Sequence, residues 1–159
     1  MQSHPFEPIY DKNSKVLILG SFPSVKSREN QFFYGHSQNR FWKVISAVFG
    51  EPLPETIVQK KQLLLSNSIA LWDVIASCEI NGSSDSSIKN VIPNDLTRIL
   101  NTADIKQIFV NGKTAQKYFV RYIQDIVKRQ AICLPSTSPA NSAWSLEKLV
   151  NEWRIIGLV

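Results

Sequence analysis

Two stretches of this sequence concentrate residues able to do chemistry. The first runs Gly20-Ser21-Phe22-Pro23-Ser24 and then Phe32-Phe33-Tyr34-Gly35-His36-Ser37-Gln38-Asn39-Arg40-Phe41-Trp42. Gly20 directly follows an apolar run, where the absence of a Cβ allows a tight turn and close approach of a ligand to the backbone. Pro23 stiffens that turn. The triplet Phe32-Phe33-Tyr34 is dense for a solvated loop, and a flat dry face beside backbone donors suits a planar heterocycle. On composition alone, the commoner explanation of such a run is aromatics plugging into the core. The second stretch is Leu134-Pro135-Ser136-Thr137-Ser138-Pro139-Ala140-Asn141. Its three hydroxyls can donate to phosphate oxygens together with nearby backbone amides; an ordinary Ser/Pro-rich surface loop has the same composition. Asn39 likewise has two readings: the N-cap of a helix over 40–49, or a catalytic amide.

Positioning these residues requires a scaffold, and the periodicity supplies one. Lys15–Leu19, Ser68–Trp72, Gln107–Asn111 and Ala131–Leu134 are short, nearly continuous apolar runs, as expected for strands buried on both faces. Helical patterns lie between them. Phe41–Phe49 puts Phe41, Val44, Ile45 and Val48 on one face, and Glu55–Leu65 follows Pro54. Asn94 is placed to cap a helix carrying Leu96, Ile99 and Leu100. Lys113–Lys128 reads as one helix, and Ser145 is placed to cap a last one. Alternating strands and helices predict an α/β fold: a single three-layer α/β/α domain over residues 1–159, with a central, mostly parallel four-stranded sheet. Ligands bind outside the carboxyl ends of such strands. The loops Gly20–Asn39, Asp73–Ile92, Asn111-Gly112 and Pro135–Trp144 converge there.

The 159 residues, 43% hydrophobic and 19% charged, describe a globular chain. A net charge of +5 and a pI near 9.3 favour an anionic partner without singling one out. Cys78 and Cys133 form no CxxC pattern and, with only His4 and His36 beside them, no metal-ligand spacing, so no metal is expected. No apolar run approaches a membrane span and no secretory leader is visible, which places the chain in the reducing cytoplasm. Lys113, Lys117, Arg121, Lys128 and Arg129 read as a solvated basic face, with phosphate contact as the alternative. Asp73 and Asp85 suit turn roles as well as a base-edge contact, and His4 receives no role.

Leu17–Ser24 followed by Tyr34–Trp42 resembles the first signature of the hypoxanthine-DNA (deoxyinosine) glycosylases, a branch of the uracil-DNA glycosylase superfamily. Leu134–Asn141 resembles the second. Leu71–Val74, Gly82–Ile88, Phe109–Gly112 and Phe6–Asp11 are similar to that branch as well, so the likeness runs in order along nearly the whole chain. It implies a monofunctional glycosylase that hydrolyses the N-glycosidic bond of a flipped base and leaves an abasic site. The uracil-preferring enzymes and a non-catalytic nucleic-acid-binding module on the same fold are the alternatives. Most of the superfamily has an Asp or Asn two residues after the motif glycine; here that position is Phe22, and the resemblance assigns catalysis to Asn39. A neutral amide is no strong base, but it can hold a water through its carbonyl and donate to the base through its NH₂. The base pocket falls to Gly20, Ser21, Phe22, Phe33, Tyr34 and His36, with Tyr34 stacking on the base. DNA contacts fall to Pro23, Ser24, Ser136, Thr137, Ser138, Pro139, Ala140 and Asn141. The implied partner is damaged DNA, met by a monomer without cofactor, membrane or obligate protein partner. No lysine stands in a signature for Schiff-base chemistry.

Overall fold

A computed structural model describes residues 1–159. In chain order its elements are β1 (Gln2–Ser3), β2 (Val16–Gly20), α1 (Val25–Asn30), α2 (Phe41–Phe49), α3 (Ile57–Ser66), β3 (Ile69–Asp73), β4 (Ile75–Glu79), β5 (Lys89–Pro93), α4 (Thr97–Leu100), β6 (Gln107–Asn111), α5 (Lys113–Tyr122), α6 (Gln124–Val127), β7 (Ala131–Leu134) and α7 (Leu146–Trp153). Every residue of β2 and β3 is buried, which a sheet permits only when both faces are covered.

The expected sheet forms. Its strand order is β3-β2-β6-β7 and all three pairings are parallel. Register sets Gly20 opposite Asp73, Leu19 opposite Val110, and Asn111 opposite Leu134. Four strands therefore end almost level on one edge. The chain leaves β2 toward β3 on one side and later fills β6 and β7 on the other. The loops after β2 and β6 thus diverge and open a crevice at this switch point. Of the connecting helices, α3 packs on β3 and α5 on β6 and β7, while α7 returns to pack on α2.

Three features depart from the sequence expectation. Residues 73–92 are not simply a loop: β4 and β5 pair antiparallel and, with β1, make a second three-stranded sheet. Bulged register and mixed burial in these strands left no clean alternation to read. The loop after β2 contains α1, a six-residue helix capped by Ser24, whose side chain accepts from the Ser27 N–H. Only Ser27 is buried in it, so it has no apolar period. The stretch 113–128 is two helices: the chain breaks at Ile123, where φ is −119°, and Lys128 turns it with φ 56° toward β7.

Caps were partly legible. Ser145 caps α7 and Thr56 forms a capping box with Gln59 on α3. Asn94 caps nothing: its Nδ2 donates to the Asp73 carbonyl, and Asp95 Oδ1 takes the Thr97 N–H instead. The N-terminal segment covers the free edge of β3, with Ile9 and Leu71 exchanging backbone hydrogen bonds of 2.9 and 2.8 Å. No helix is long and apolar enough to cross a membrane.

Phe41 anchors the junction of α2 with α7. It is fully buried, with the rings of Tyr34, Trp42 and Trp153 centred 4.1, 4.9 and 5.9 Å away. Truncating it leaves a cavity, so Phe41→Ala should cost about 3–5 kcal/mol in urea unfolding. A loss below about 1 kcal/mol would show that this cluster is not part of the cooperative core.

Candidate active site

The loops after β2, β4, β6 and β7, with the end of β3, border a cleft of about 1220 Å³. Gly20, Asp73 and Asn111, the last residues of three strands, form its floor. All of the base-pocket and DNA-contact residues expected from the sequence border it, Asn39 included. Bordering a cleft assigns no role by itself; the hydrogen bonds say more.

Asn39 Oδ1 accepts two donors: the Phe41 N–H at 2.9 Å and the Thr137 hydroxyl at 2.9 Å. A backbone N–H can only donate, so the amide orientation is fixed. Asn39 therefore does satisfy a donor at the start of α2, although it stands one residue before the geometric cap position, Arg40. Both carbonyl lone pairs are occupied. This corrects the expectation that the carbonyl holds a water. What Asn39 has left over is its NH₂.

Behind Asn39 the bonds continue. Thr137 Oγ1 accepts from Asn111 Nδ2 at 3.0 Å, and Asn111 Oδ1 accepts the Thr137 N–H at 3.1 Å. Asn111 Nδ2 also donates to the Tyr34 hydroxyl at 3.1 Å. Three loops are thereby tied through one partly buried chain of polar groups. Arg40 adds a second tie. Its guanidinium donates to the carbonyls of Trp144, Ser138 and Asn141, and its N–H to that of Thr137. The planar fork of donors suits several carbonyls at once.

Tyr34 occupies a left-handed conformation, φ 53°, and its ring stacks on Phe41 at 17° between planes. One face of the ring is covered, so only the other is free for a ligand. Burial foremost, and then the negative charge of Asp73, push the Tyr34 phenol well above its ordinary pKa, so it keeps its proton. Its hydroxyl and Asp73 Oδ1 both press on Gly20, where an added Cβ would come within 2.8 and 2.3 Å of them. Glycine stands there for space. Asp73 in turn is bonded through Oδ2 to His4 Nε2 at 2.7 Å.

Other placements correct the sequence reading. Thr137 is fully buried and its hydroxyl is spent on Asn39, so it is not a phosphate contact. Pro23 is also buried and cannot press on DNA. Phe33 is 2% exposed among Phe6, Phe32 and His4, so it backs the cleft as a core residue. Ser24 is engaged in capping α1, and Asn141 Nδ2 holds the Ser136 carbonyl. Pro139 and Ala140 stand exposed at the loop tip. Ser21, Phe22, Ser136 and Ser138 remain half-buried at the wall, and His36 Nδ1 accepts the Gln38 N–H. Asn111 and Arg40 received no role from sequence. Asn111 had a readable signal, a polar residue ending a buried strand; His4 had none.

With this geometry established, comparison with known proteins defines the class. The uracil DNA glycosylase superfamily profile matches residues 7–156. A hypoxanthine DNA glycosylase of Methanosarcina acetivorans is 33% identical over 153 residues, covering 95% of each chain. One from Methanosarcina barkeri is 33% identical over 120 residues, covering 74% of this chain and 76% of that one. A solution NMR structure from M. acetivorans, described provisionally as a uracil DNA glycosylase, superposes with a TM-score of 0.79 at 30% identity, covering 95% and 96%. The chain belongs to the uracil DNA glycosylase superfamily.

The buried Thr137 hydroxyl gives a direct check on the polar chain. Thr137→Val keeps the shape but leaves Asn111 and Asn39 each short of a partner, which should cost about 1–3 kcal/mol. Thr137→Ser should recover most of it. Equal stability of the Val and wild-type proteins would remove the chain from the account.

Proposed function

We propose that this protein is a monofunctional DNA glycosylase that extrudes a deaminated base, hypoxanthine above all, and hydrolyses its N-glycosidic bond. Residues 1–159 act as one domain, as a monomer inside the cell, on damaged DNA and without a cofactor. The observation that carries this reading is the Asn39 amide, locked carbonyl-inward with its NH₂ left for a ligand at the cleft wall. The relatives named hypoxanthine DNA glycosylase support the choice of base.

The chemistry follows from charge. As the bond breaks, the sugar gains oxocarbenium character and the departing base accumulates negative charge. A fixed N–H donor beside the base stabilises that charge without reorganising. Asn39 supplies it. A base taken out of the stack loses its neighbours, and the free face of Tyr34 can replace one of them, worth about 1–3 kcal/mol per base. The Ser136 and Ser138 hydroxyls each accept one loop N–H, which leaves their protons for phosphate oxygens. The exposed Pro139-Ala140 tip suits filling the gap in the duplex. Lys113, at the cleft margin on the first turn of α5, adds positive charge for the backbone.

Activity is tested with labelled duplexes carrying deoxyinosine, uracil or xanthine. Hypoxanthine release should proceed in the presence of chelator, and the strand should break only after alkali. Binding without any alkali-labile product would favour the non-catalytic alternative, and release of uracil alone would shift the substrate.

Asn39 variants separate its acceptor from its donor. Asn39→Asp keeps both accepted hydrogen bonds and adds a charge favourable at a helix start, so it should melt at or above wild type. It lacks the NH₂. Its single-turnover rate should fall at least ~100-fold, about 2.7 kcal/mol of barrier. Asn39→Ala should lose stability as well, because the Phe41 N–H and the Thr137 hydroxyl lose their acceptor. A wild-type rate in Asn39→Asp would end the donor assignment.

A further inference from the structure

Arg40 spends its guanidinium on the main-chain carbonyls of a single loop. Nη1 donates to Trp144, and Nη2 donates to Ser138 at 3.2 Å and to Asn141 at 3.1 Å. Its backbone N–H takes the Thr137 carbonyl at 3.1 Å. No carboxylate forms an ion pair with it, so its charge is directed at carbonyl dipoles alone. Hydrogen bonds from an ionised donor are stronger than neutral ones.

The loop depends on such support. Residues 135–145 form no helix or strand, and Pro139 and Ala140 stand exposed at its turn. Trp153 Nε1 holds the Pro135 carbonyl and Asn141 Nδ2 that of Ser136. The carbonyls of Thr137, Ser138, Asn141 and Trp144 all go to Arg40. Both feet of the exposed tip, Ser138 and Asn141, therefore meet on one nitrogen, Nη2. The Asn141 N–H closes the same turn on the Ser138 carbonyl at 3.0 Å. Arg40 itself directly precedes α2, whose first residue, Phe41, is fully buried. A planar fork seated on the core thus sets the height and tilt of the tip. Its charge also offsets the negative ends of these carbonyls beside a surface proposed to meet phosphates.

Given the glycosylase reading, on which this inference rests, the tip acts only in a duplex. A lesion in a single strand is already unpaired. A paired one must be extruded, and the gap it leaves has to be filled. A loose tip would have to be ordered at that moment, at an entropic cost that a preshaped one avoids. We infer that Arg40 is the positioning residue that preshapes the 138–141 tip for entry into the duplex, and so sets how the protein handles paired against unpaired lesions.

The test follows single-turnover release of hypoxanthine from one deoxyinosine oligonucleotide in three forms: single-stranded, fully duplex, and duplex with a bubble of mismatches around the lesion. In Arg40→Ala the duplex rate should fall at least about tenfold more than the single-strand rate, and the bubble should recover most of that difference. Arg40→Lys keeps the charge without the planar fork, so its duplex-to-single-strand ratio should lie between those of Arg40→Ala and wild type. Circular dichroism melting shows which variants are folded at the assay temperature. If Arg40→Ala is not, the Arg40→Lys ratio decides. A ratio unchanged from wild type in the folded variant overturns the inference, whether or not the rates fall, because a merely structural arginine would lower both alike. Wild-type activity confined to single strands overturns it too, since no duplex is then entered, and leaves the glycosylase reading standing. No release from any of the three forms by the wild-type protein overturns that reading, and this inference with it.

Discussion

Thr137 has no solvent exposure and takes part in four hydrogen bonds that join three loops: to the Arg40 N–H, to Asn111 twice, and to Asn39. Each partner is polar and sits beside the cleft, where water would otherwise compete for it. Burying these groups without partners would cost more than the bonds return, so the arrangement is all or nothing. The consequence at the surface is one oriented amide. With Thr137 and the Phe41 N–H on its carbonyl, Asn39 has only its NH₂ to offer. A loop-borne residue thereby gains the fixed geometry of one built on a strand.

Space is the second constraint. The strands end level, and Gly20 lies between Asp73 and the Tyr34 hydroxyl with no room for a Cβ. Tyr34 reaches that point from a left-handed backbone, with its ring backed by Phe41. Such strain in a non-glycine residue persists only where the surroundings over-determine it, and here a stacked ring and a hydrogen bond from Asn111 do so. Packing at α2 and polar geometry at the cleft are thus the same contacts seen from two sides.

The segment before β2 plays a larger part than its composition suggests. It covers the open edge of β3 at Ile9, adds β1 to the second sheet, and between the two drops His4 onto Asp73. The edge that a parallel sheet must hide from other chains is hidden by the same piece that holds Asp73 beneath the cleft.

Local chemistry left the four buried strands, their parallel arrangement, the α2 apolar face and the Ser145 cap legible in the sequence, because burial on two faces and helical period are properties of a few adjacent residues. The site loops were legible too, since glycine, proline and clustered polar residues at strand ends have local causes. Beyond that range the sequence was silent. The bulged β4–β5 pair and the polar helix α1 have no clean period, and Phe33 and Tyr34, adjacent in the chain, part company only when one enters the core. Only the tertiary structure decided that Thr137 faces inward, that the Asn39 carbonyl is spent, and that His4 meets Asp73. Those outcomes rest on hydrogen bonds between residues 69 to 98 positions apart, and no local propensity encodes which distant donor will arrive.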